Sequence, residues 1–174
     1  MPDPGDKYIR YLKEAGCDPQ VISHCITVRE VAVRITDLIL SAGTAKVDRD
    51  LVAAGAILHD IGRSETHGMD HADAGGRICR ETGFSQEICR IVERHIGAGL
   101  NRSDRKGFGL SEEDRIPETI EEKIVAHADN LVKGSGIITR SDLDVSIQKF
   151  PHDVQARFTA LADELEALAG SRLP

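Results

Sequence analysis

Residues 59–62 read His59-Asp60-Ile61-Gly62 and follow an apolar segment, 51–58. An imidazole and a carboxylate are both metal-ligand types, and adjacent residues can both reach one metal ion only in a special local geometry. Gly62 is a candidate for producing that geometry, because glycine can end a helix in the left-handed conformation and turn the side chains before it towards a pocket. The stretch therefore predicts a helix that delivers a metal-binding pair at its C-terminal end.

Four further side chains of metal-binding type lie within or beside apolar helical patterns, where a solvated surface residue is not expected. They are His24, His71, His95 and Asp129. His24 shares the three- and four-residue spacing of a buried helix face. Asp129 shares one side of a helix with Val125 and Val132. The pattern predicts that these side chains point inward.

Every strong hydrophobic periodicity in the chain has the helical repeat, which predicts an all-α fold. The predicted helices cover residues 6–15, 19–43, 49–60, 70–82, 85–95, 119–133, 141–149 and 152–169. Gly75 and Gly76 lie inside one of them, where they lower stability unless close backbone packing or a ligand requires them. Residues 97–109 contain four glycines and several basic residues, which predicts a mobile, locally basic loop.

The length of 174 residues fits one compact domain, 1–174, with a metal pocket among the central helices and the helices of 134–174 packed on the rest. The formal charge of −7 disfavours a nucleic-acid polymer as partner, since that binding uses clustered Lys and Arg. Only four Phe, two Tyr and no Trp are available for base stacking. The composition therefore favours a small-molecule ligand.

The four cysteines have no CxxC spacing and are interpreted as reduced thiols, with a Cys79–Cys89 bridge or a metal role left open. The first residues, Met1 to Asp6, lack the basic start and apolar run of a signal peptide. No segment approaches the ~20 apolar residues of a membrane span. We therefore expect a cytoplasmic protein without a membrane partner, and the sequence leaves its oligomeric state open.

The ordered series His24, His59-Asp60, Asp129 resembles the HD-domain (HDIG-type) metal-dependent phosphohydrolases, and the resemblance covers roughly residues 20–133. The chain looks most like the small single-domain prokaryotic, especially archaeal, members. Three segments resemble the parts of the family that carry its remaining ligands. They are His71-Ala72-Asp73-Ala74-Gly75, Arg94-His95-Ile96-Gly97 and Ala126-His127-Ala128-Asp129-Asn130.

The resemblance implies a dinuclear site for divalent transition metals, with Fe, Mn, Co, Ni and Zn all compatible with a mixed histidine and carboxylate set. Asp60 has two carboxylate oxygens, so it is expected to bridge two ions about 3.5–4 Å apart. The ligand sets that the resemblance implies are His24, His59 and Asp129 for one ion and His71 and His95 for the other.

The implied activity is metal-dependent hydrolysis of a small phosphoester by a hydroxide shared between the ions, with Asp60 and His59 as catalytic residues. The expected substrate is a nucleotide or related metabolite, and the linkage (monoester, cyclic diester or pyrophosphate) stays open. Arg63 stands where many relatives carry lysine, and its guanidinium is expected to grip a phosphate oxygen. Further substrate-binding candidates are His67, Arg94, Arg102, Arg105 and Lys106.

Several alternatives remain at this point. A di-iron oxygenase could use nearly the same ligands, and a nucleotide-sensing module could keep the metal site without turnover. His71 and His95 could be capping or core-edge histidines beside a single ion, and Arg63 could form a surface ion pair. The segment 97–109 is either a flexible cover or an ordinary long loop. His127 is expected to face away from the pocket, since two residues turn about 200° around a helix.

Overall fold

The computed structural model describes residues 5–173, within which the chain forms nine α-helices and one short antiparallel hairpin. The helices are α1 (Asp6–Ala15), α2 (Pro19–Ala42), α3 (Arg49–Leu58), α4 (His71–Thr82), α5 (Gln86–Glu93), α6 (Arg102–Gly107), α7 (Ile120–Asn130), α8 (Arg140–Ser146) and α9 (His152–Ala169). The hairpin strands are β1 (Val132–Lys133) and β2 (Gly136–Ile137). The predicted all-α fold is confirmed. Residues 1–4, where part of the signal-peptide expectation falls, and residue 174 lie outside the described residues.

Helix starts lie close to their predicted positions because local side chains cap them. The helix predicted to residue 133 ends earlier, at Asn130, and Val132–Lys133 form β1 instead. Asp48 accepts a hydrogen bond from the Leu51 amide at 2.9 Å and starts α3. Thr119 accepts one from the Glu122 amide at 3.2 Å and starts α7. The carboxylate of Glu122 accepts from the backbone amide of Glu118 at 2.7 Å, not from that of Thr119. Only half of a capping box therefore forms at α7.

Residues 97–109 differ from the prediction, because they contain the helix α6. Asn101 accepts from the Asp104 amide at 2.9 Å, and Asp104 accepts from the Asn101 amide at 3.0 Å, which makes a complete capping box. Gly97, Gly99 and Gly109 adopt positive φ and turn the chain around this helix. The loop prediction was wrong for residues 102–107, because the polar residues that indicated a loop are the caps of a short helix. The mobility of the segment stays a prediction.

Helix α3 is buried on every side, as a helix with apolar residues around its whole circumference must be. All of its residues from Val52 to Leu58 are buried. Val52 and Ala56 join a large cluster with α2, α7 and α9, whereas Ala54, Ile57 and Leu58 join a second cluster with α1, α4 and α5. The end of α3 therefore lies at the centre of the molecule.

Helices α4 and α5 approach each other closely through glycines. A Cβ on Gly75 would lie 2.7 Å from Cγ1 of Val92, and one on Gly76 would overlap the side chain of Glu93. Real Cβ atoms avoid such distances, so glycine at both positions allows the close packing of α4 on α5, which is one of the two reasons that the sequence left open. The approach brings the start of α4 next to the end of α5.

The C-terminal helices pack on the rest of the fold through Leu161 and Leu165, which belong to the cluster shared with α2 and α7. The four cysteines are buried and form no disulfide bonds with one another, as their scattered spacing predicted. Among residues 5–173, no helix combines the length and hydropathy that crossing a membrane requires.

Candidate metal centre

Four histidines and two aspartates converge from five separate segments. His24 lies in the second turn of α2, His59 caps the end of α3, and Asp60 follows it at the start of a 3-10 turn, Ile61–Ser64. The other three ligand candidates come from three different helix ends: His71 opens α4, His95 follows α5, and Asp129 lies in the last turn of α7. The predicted ligand residues are thus brought together.

The Nδ1 atom of each histidine lies 2.7 Å from a backbone carbonyl oxygen. Three of these carbonyls stand three residues earlier in the chain: Ala56 for His59, Gly68 for His71 and Val92 for His95. Ala56 and Val92 lie in the last turns of their helices, where carbonyls lack a helical partner. A histidine placed just beyond a helix end therefore satisfies an orphan carbonyl and gains a fixed orientation.

The carbonyl partners also set the tautomer of the four rings. A carbonyl oxygen only accepts, so Nδ1 carries the proton and the neutral ring presents a lone pair at Nε2. Metal-binding histidines in proteins are held in this way. The Nε2 of His59 is buried and has no hydrogen-bond partner among residues 5–173. A buried ring nitrogen with no partner is costly, and coordination to a metal ion would satisfy it.

The two carboxylate oxygens of Asp60 face different histidines. Oδ1 lies 3.2 Å from Nε2 of His71 and 3.5 Å from Nε2 of His95. Oδ2 lies 3.7 Å from Nε2 of His59 and 3.9 Å from Nε2 of His24. The carboxylate thus divides the site into two parts with one oxygen turned to each, the arrangement that a bridging ligand requires.

The remaining distances fit ligands that share an ion. Oδ1 of Asp129 lies 2.9 Å from Nε2 of His24 and 3.5 Å from Nε2 of His59. The Nε2 atoms of His71 and His95 are 3.1 Å apart, although neither nitrogen of a neutral pair can donate to the other. Ligands about 2.1 Å from one ion lie roughly 3.0–3.5 Å from each other. The donor set therefore fits a divalent metal on both sides of Asp60.

The two sides differ in their exposure to solvent. The side chains of His71 and His95, the inner pair, are 4% and 2% exposed. Those of His24 and Asp129, the outer pair, are 16% and 22% exposed. His59 is fully buried and lies within 4.8 Å of ligand atoms on both sides. The outer pair is thus the side that solvent reaches first.

Both carboxylates of the site are ionised at neutral pH. Burial would raise the pKa of Asp60, but the charge of His59 and the close contacts with the rings of His71 and His95 hold it well below its usual range. The pKa of Asp129 is lowered for the same reason, because its histidine neighbours outweigh its burial. Burial would lower the pKa of His59, but Asp60 outweighs it and raises that pKa. A metal ion entering here would displace the proton from this ring.

A pocket of about 370 Å³ opens over the ligand atoms. Arg63 lies in its wall, with Nε 3.3 Å from Oδ1 of Asp60 and Nη1 donating to the carbonyl of His67 at 2.9 Å. Gln20 and Met69 also line it, although the sequence analysis missed both. Met69 stands two residues before His71 and Gln20 one helical turn before His24, and this spacing is the signal that could have found them. Apolar walls come from Val21 and Ile96.

The other basic candidates lie outside the pocket lining. Arg105 is buried and donates to Asp73 at 3.0 Å and to the hydroxyl of Ser111 at 2.7 Å, so its predicted place in the substrate site is corrected to one in the protein interior. The remaining candidates are committed elsewhere or face solvent. Arg94 pairs with Glu118 and Glu122, Lys106 pairs with Glu112, and the side chains of Arg102 and His67 are exposed.

Gly62 has a different role from the predicted one. Its φ is not positive, and it lies within the 3-10 turn that follows Asp60. A Cβ there would overlap the carbonyl oxygen of His71 and come within 2.5 Å of the Gly75 amide nitrogen. The glycine therefore allows the turn after Asp60 to lie against the start of α4, which sets the distance between Asp60 and His71.

His127 faces away from the pocket lining, as predicted. It is fully buried, and neither ring nitrogen has a partner among the described residues. Burial, aided by the charge of Arg140, lowers the pKa of His127 to about 4. Asn130, which follows Asp129 in the chain, has a positioning contact instead, since its side-chain amide donates to the carbonyl of Gly97 at 3.0 Å. This bond ties the end of α7 to the segment after His95.

Comparison with known proteins agrees with this geometry. The family model described as HD domain matches residues 21–134, which include all six ligand candidates. The chain belongs to the HD-domain family. The region matched by the family model is nearly the same as residues 20–133, where the sequence resembles the family.

Two archaeal relatives are similar over nearly the whole chain. The tRNA (cytidine(56)-2'-O)-methyltransferase of Picrophilus torridus is 45% identical over 169 residues, covering 97% of this chain but 48% of that protein. An uncharacterized protein of Methanocaldococcus jannaschii is 41% identical over 169 residues, covering 94% of this chain and 97% of that protein. The chain thus spans about half the length of the first relative and nearly all of the second.

A solved structure has the same fold. The HD domain of the Listeria monocytogenes phosphodiesterase PgpH, crystallised with cyclic-di-AMP, superposes with a TM-score of 0.58 and 16% identity, covering 97% of this chain and 99% of that one. At this identity the similarity concerns the fold alone: the two chains share the same arrangement of helices.

Proposed function

We propose that this HD-domain protein is a metal-dependent phosphohydrolase that uses two divalent transition-metal ions bridged by Asp60. The proposal is carried by the orientation of the Asp60 carboxylate. Its Oδ1 faces His71 and His95, and its Oδ2 faces His59 and His24. Four histidines whose Nδ1 atoms are already bonded to carbonyls leave four Nε2 atoms for metal.

The bound ions would supply two effects, a lower pKa of a coordinated water and neutralisation of charge on the phosphoryl oxygens. His59 and Asp60 hold the site together, since they face both of its sides. Arg63 stands beside Asp60 with a planar guanidinium that can hold a nonbridging phosphate oxygen. Its present bond to Asp60 keeps it within reach of the same centre. Met69 and Ile96 give the pocket an apolar side that excludes water.

We propose a small phosphoester as the substrate, a nucleotide or related metabolite. The pocket volume of about 370 Å³ lies near the lower end of ligand sites, which run from roughly 300 to 1,000 Å³. One side is polar and metal-binding and the other is apolar, as a phosphate joined to a nucleoside requires. The PgpH domain crystallised with cyclic-di-AMP lends this substrate class support.

A second candidate substrate is a phosphate group on RNA. In the relative from Picrophilus torridus, the region similar to this chain makes up 48% of a longer protein that is named as a tRNA methyltransferase. That relationship favours RNA as the source of the phosphoester. The formal charge of −7 argues against a long RNA track on this chain, so such a substrate would enter through its end.

A substrate panel tests the proposal. The full chain would be loaded in turn with Mn, Co, Ni and Fe(II) and given p-nitrophenyl phosphate, bis-p-nitrophenyl phosphate, nucleotides, cyclic dinucleotides and RNA oligonucleotides with terminal phosphates. We expect metal-dependent release of phosphate or a nucleotide, with loss of activity in Asp60→Ala. Asp37→Ala, which removes an exposed aspartate from α2, serves as the matched control and should keep the activity.

Other outcomes identify the alternatives. Oxygen consumption by the iron form without phosphoester cleavage would replace the hydrolase with a di-iron oxygenase. If the metal-loaded protein binds a nucleotide tightly but does not turn it over, the protein is a nucleotide-sensing module. Cleavage of RNA ends with no cleavage of free nucleotides would select the second substrate class.

A further inference from the structure

His24 obtains its orientation in a different way from the other three ligand histidines. Its Nδ1 lies 2.7 Å from the carbonyl oxygen of Gly134, which is 110 residues away in the sequence. Each of the other rings uses a carbonyl three residues earlier. Those rings are oriented by their own helix end or turn, whereas the orientation of His24 depends on tertiary structure.

The carbonyl that His24 uses belongs to the turn of the β1–β2 hairpin. Gly134 has φ +60°, a left-handed conformation that side-chain-bearing residues adopt at a cost. The hairpin closes through Val132 and Ile137, and the amide of Ile138 donates to the carbonyl of Leu131 at 2.8 Å. The turn therefore has a defined shape that aims the Gly134 carbonyl at α2.

A second bond holds the hairpin against the same helix. The hydroxyl of Thr27, three residues after His24, is 3.3 Å from the carbonyl of Ser135 and 3.2 Å from that of Ser23. The consecutive carbonyls of Gly134 and Ser135 thus accept hydrogen bonds from His24 and Thr27, which lie on one face of α2. The hairpin begins three residues after Asp129, the other member of the outer pair, so it links both outer ligands.

We propose that the β1–β2 hairpin is a positioning element for the outer metal ion. It holds the Nδ1–H of His24 through the Gly134 carbonyl and thereby keeps Nε2 turned to the site beside Asp129. The inner pair does not depend on the hairpin, because His71 and His95 take their carbonyls from Gly68 and Val92. This inference rests on the proposed metal site and concerns one of its two ions.

Gly134 offers a substitution that tests the backbone alone. A Cβ built there meets nothing within 4 Å, and a β-branched residue disfavours the positive φ, so Gly134→Val strains the backbone of the turn. Gly134→Asn tolerates that conformation and should keep the turn. Gly170 is the matched control, because it has φ +66° at the end of α9 and a Cβ there also meets nothing within 4 Å. Gly170→Val should give a similar strain far from the metals.

The experiment measures metal affinity in the full-length chain by titration with Mn(II) and Co(II), together with metal content after dialysis. We expect Gly134→Val to weaken one of two ions by roughly tenfold or more, the size of effect that lost outer-shell partners usually produce. The other ion should keep its affinity. Gly134→Asn and Gly170→Val should bind both ions as the wild type does.

A second variant removes the other contact of the turn. Thr27→Val keeps the shape of the side chain and loses the bond to Ser135, so we expect a smaller weakening of the same ion. The proposal is overturned if Gly134→Val retains both ions at wild-type affinity, if it weakens both equally, or if Gly170→Val reproduces its effect. Failure of the wild type to bind metal would overturn it as well.

The result is separable from the phosphohydrolase proposal. If the wild type binds two ions but cleaves no phosphoester, the activity is wrong while the hairpin is still tested by its metal content. If the wild type cleaves a phosphoester and Gly134→Val holds the outer ion normally, the activity stands and the hairpin proposal fails.

Discussion

The inner and outer pairs of the metal centre are built in different ways. His71 and His95 lie at facing helix ends, nearly without exposure, and each is oriented by a carbonyl three residues before it. His24 and Asp129 lie 105 residues apart in the chain and are partly exposed, and the orientation of His24 depends on the Gly134 carbonyl. The inner pair is therefore a property of short local segments, and the outer pair is a property of the assembled fold.

This difference has consequences for the ions. Ligands that are oriented locally and buried lose little freedom when metal binds, so their ion should be held more firmly. Ligands oriented by a distant turn can move when that turn moves. We therefore expect the inner ion to be the retained one and the outer ion to exchange.

The largest expected effect is that of Asp60→Ala, because both sides lose a ligand at once. We expect hydrolysis to fall to background and both ions to be lost or greatly weakened, while circular dichroism shows the helices still formed. Asp37→Ala is the matched control. Full activity of Asp60→Ala in a metal-replete assay would refute a bridging role for the residue.

The next effect separates the two pairs. His95→Ala and His71→Ala should each retain about one ion, held by the outer ligands, and lose most turnover. His24→Ala should likewise retain about one ion, held by the inner ligands. Metal analysis after dialysis measures this directly. If the fully active wild type binds a single ion tightly under metal excess, there is no second ion to compare. The inner histidines would then have a structural or substrate-binding role.

A smaller effect is expected from Gly62→Ala, which acts on the inner side alone. The added Cβ would overlap the carbonyl of His71, so the turn after Asp60 must shift, at a cost of about 1–3 kcal/mol in the free energy of unfolding. We expect the inner ion to weaken more than the outer one. Urea denaturation and metal titration measure the two effects. Gly107→Ala, in the open space of α6, is the control and should be nearly neutral.

The smallest expected effect on the metals is that of Arg63→Ala. The guanidinium contacts Asp60 but offers no metal ligand, so both ions should stay while the KM rises or the kcat falls. Steady-state kinetics with parallel metal analysis would show this. Arg102→Ala, which removes an exposed arginine outside the pocket lining, should leave both unchanged. Unaltered kinetics in Arg63→Ala would make its contact with Asp60 an ordinary ion pair.

Hydrophobic spacing and capping residues were enough to predict most helices, because both act within a few residues of the chain. Asp48 and Ser85 cap the starts of the helices predicted at 49–60 and 85–95, and Gly43 ends α2 in the left-handed conformation. Local signals failed at 97–109, where Asn101 and Asp104 cap a helix instead of marking a loop. Polar residues are shared by loops and caps, and spacing alone does not separate the two.

The sequence by itself determined which residues are candidates for the metal centre and on which helices they lie. It did so because ligand chemistry belongs to residue type and because inward direction follows from helical periodicity. Only the tertiary structure decided that Arg105 is buried against Asp73, that Gly62 serves a backbone contact with His71, and that the turn at Gly134 orients His24. These features join residues far apart in the chain, and neither residue type nor local spacing contains the distances between them.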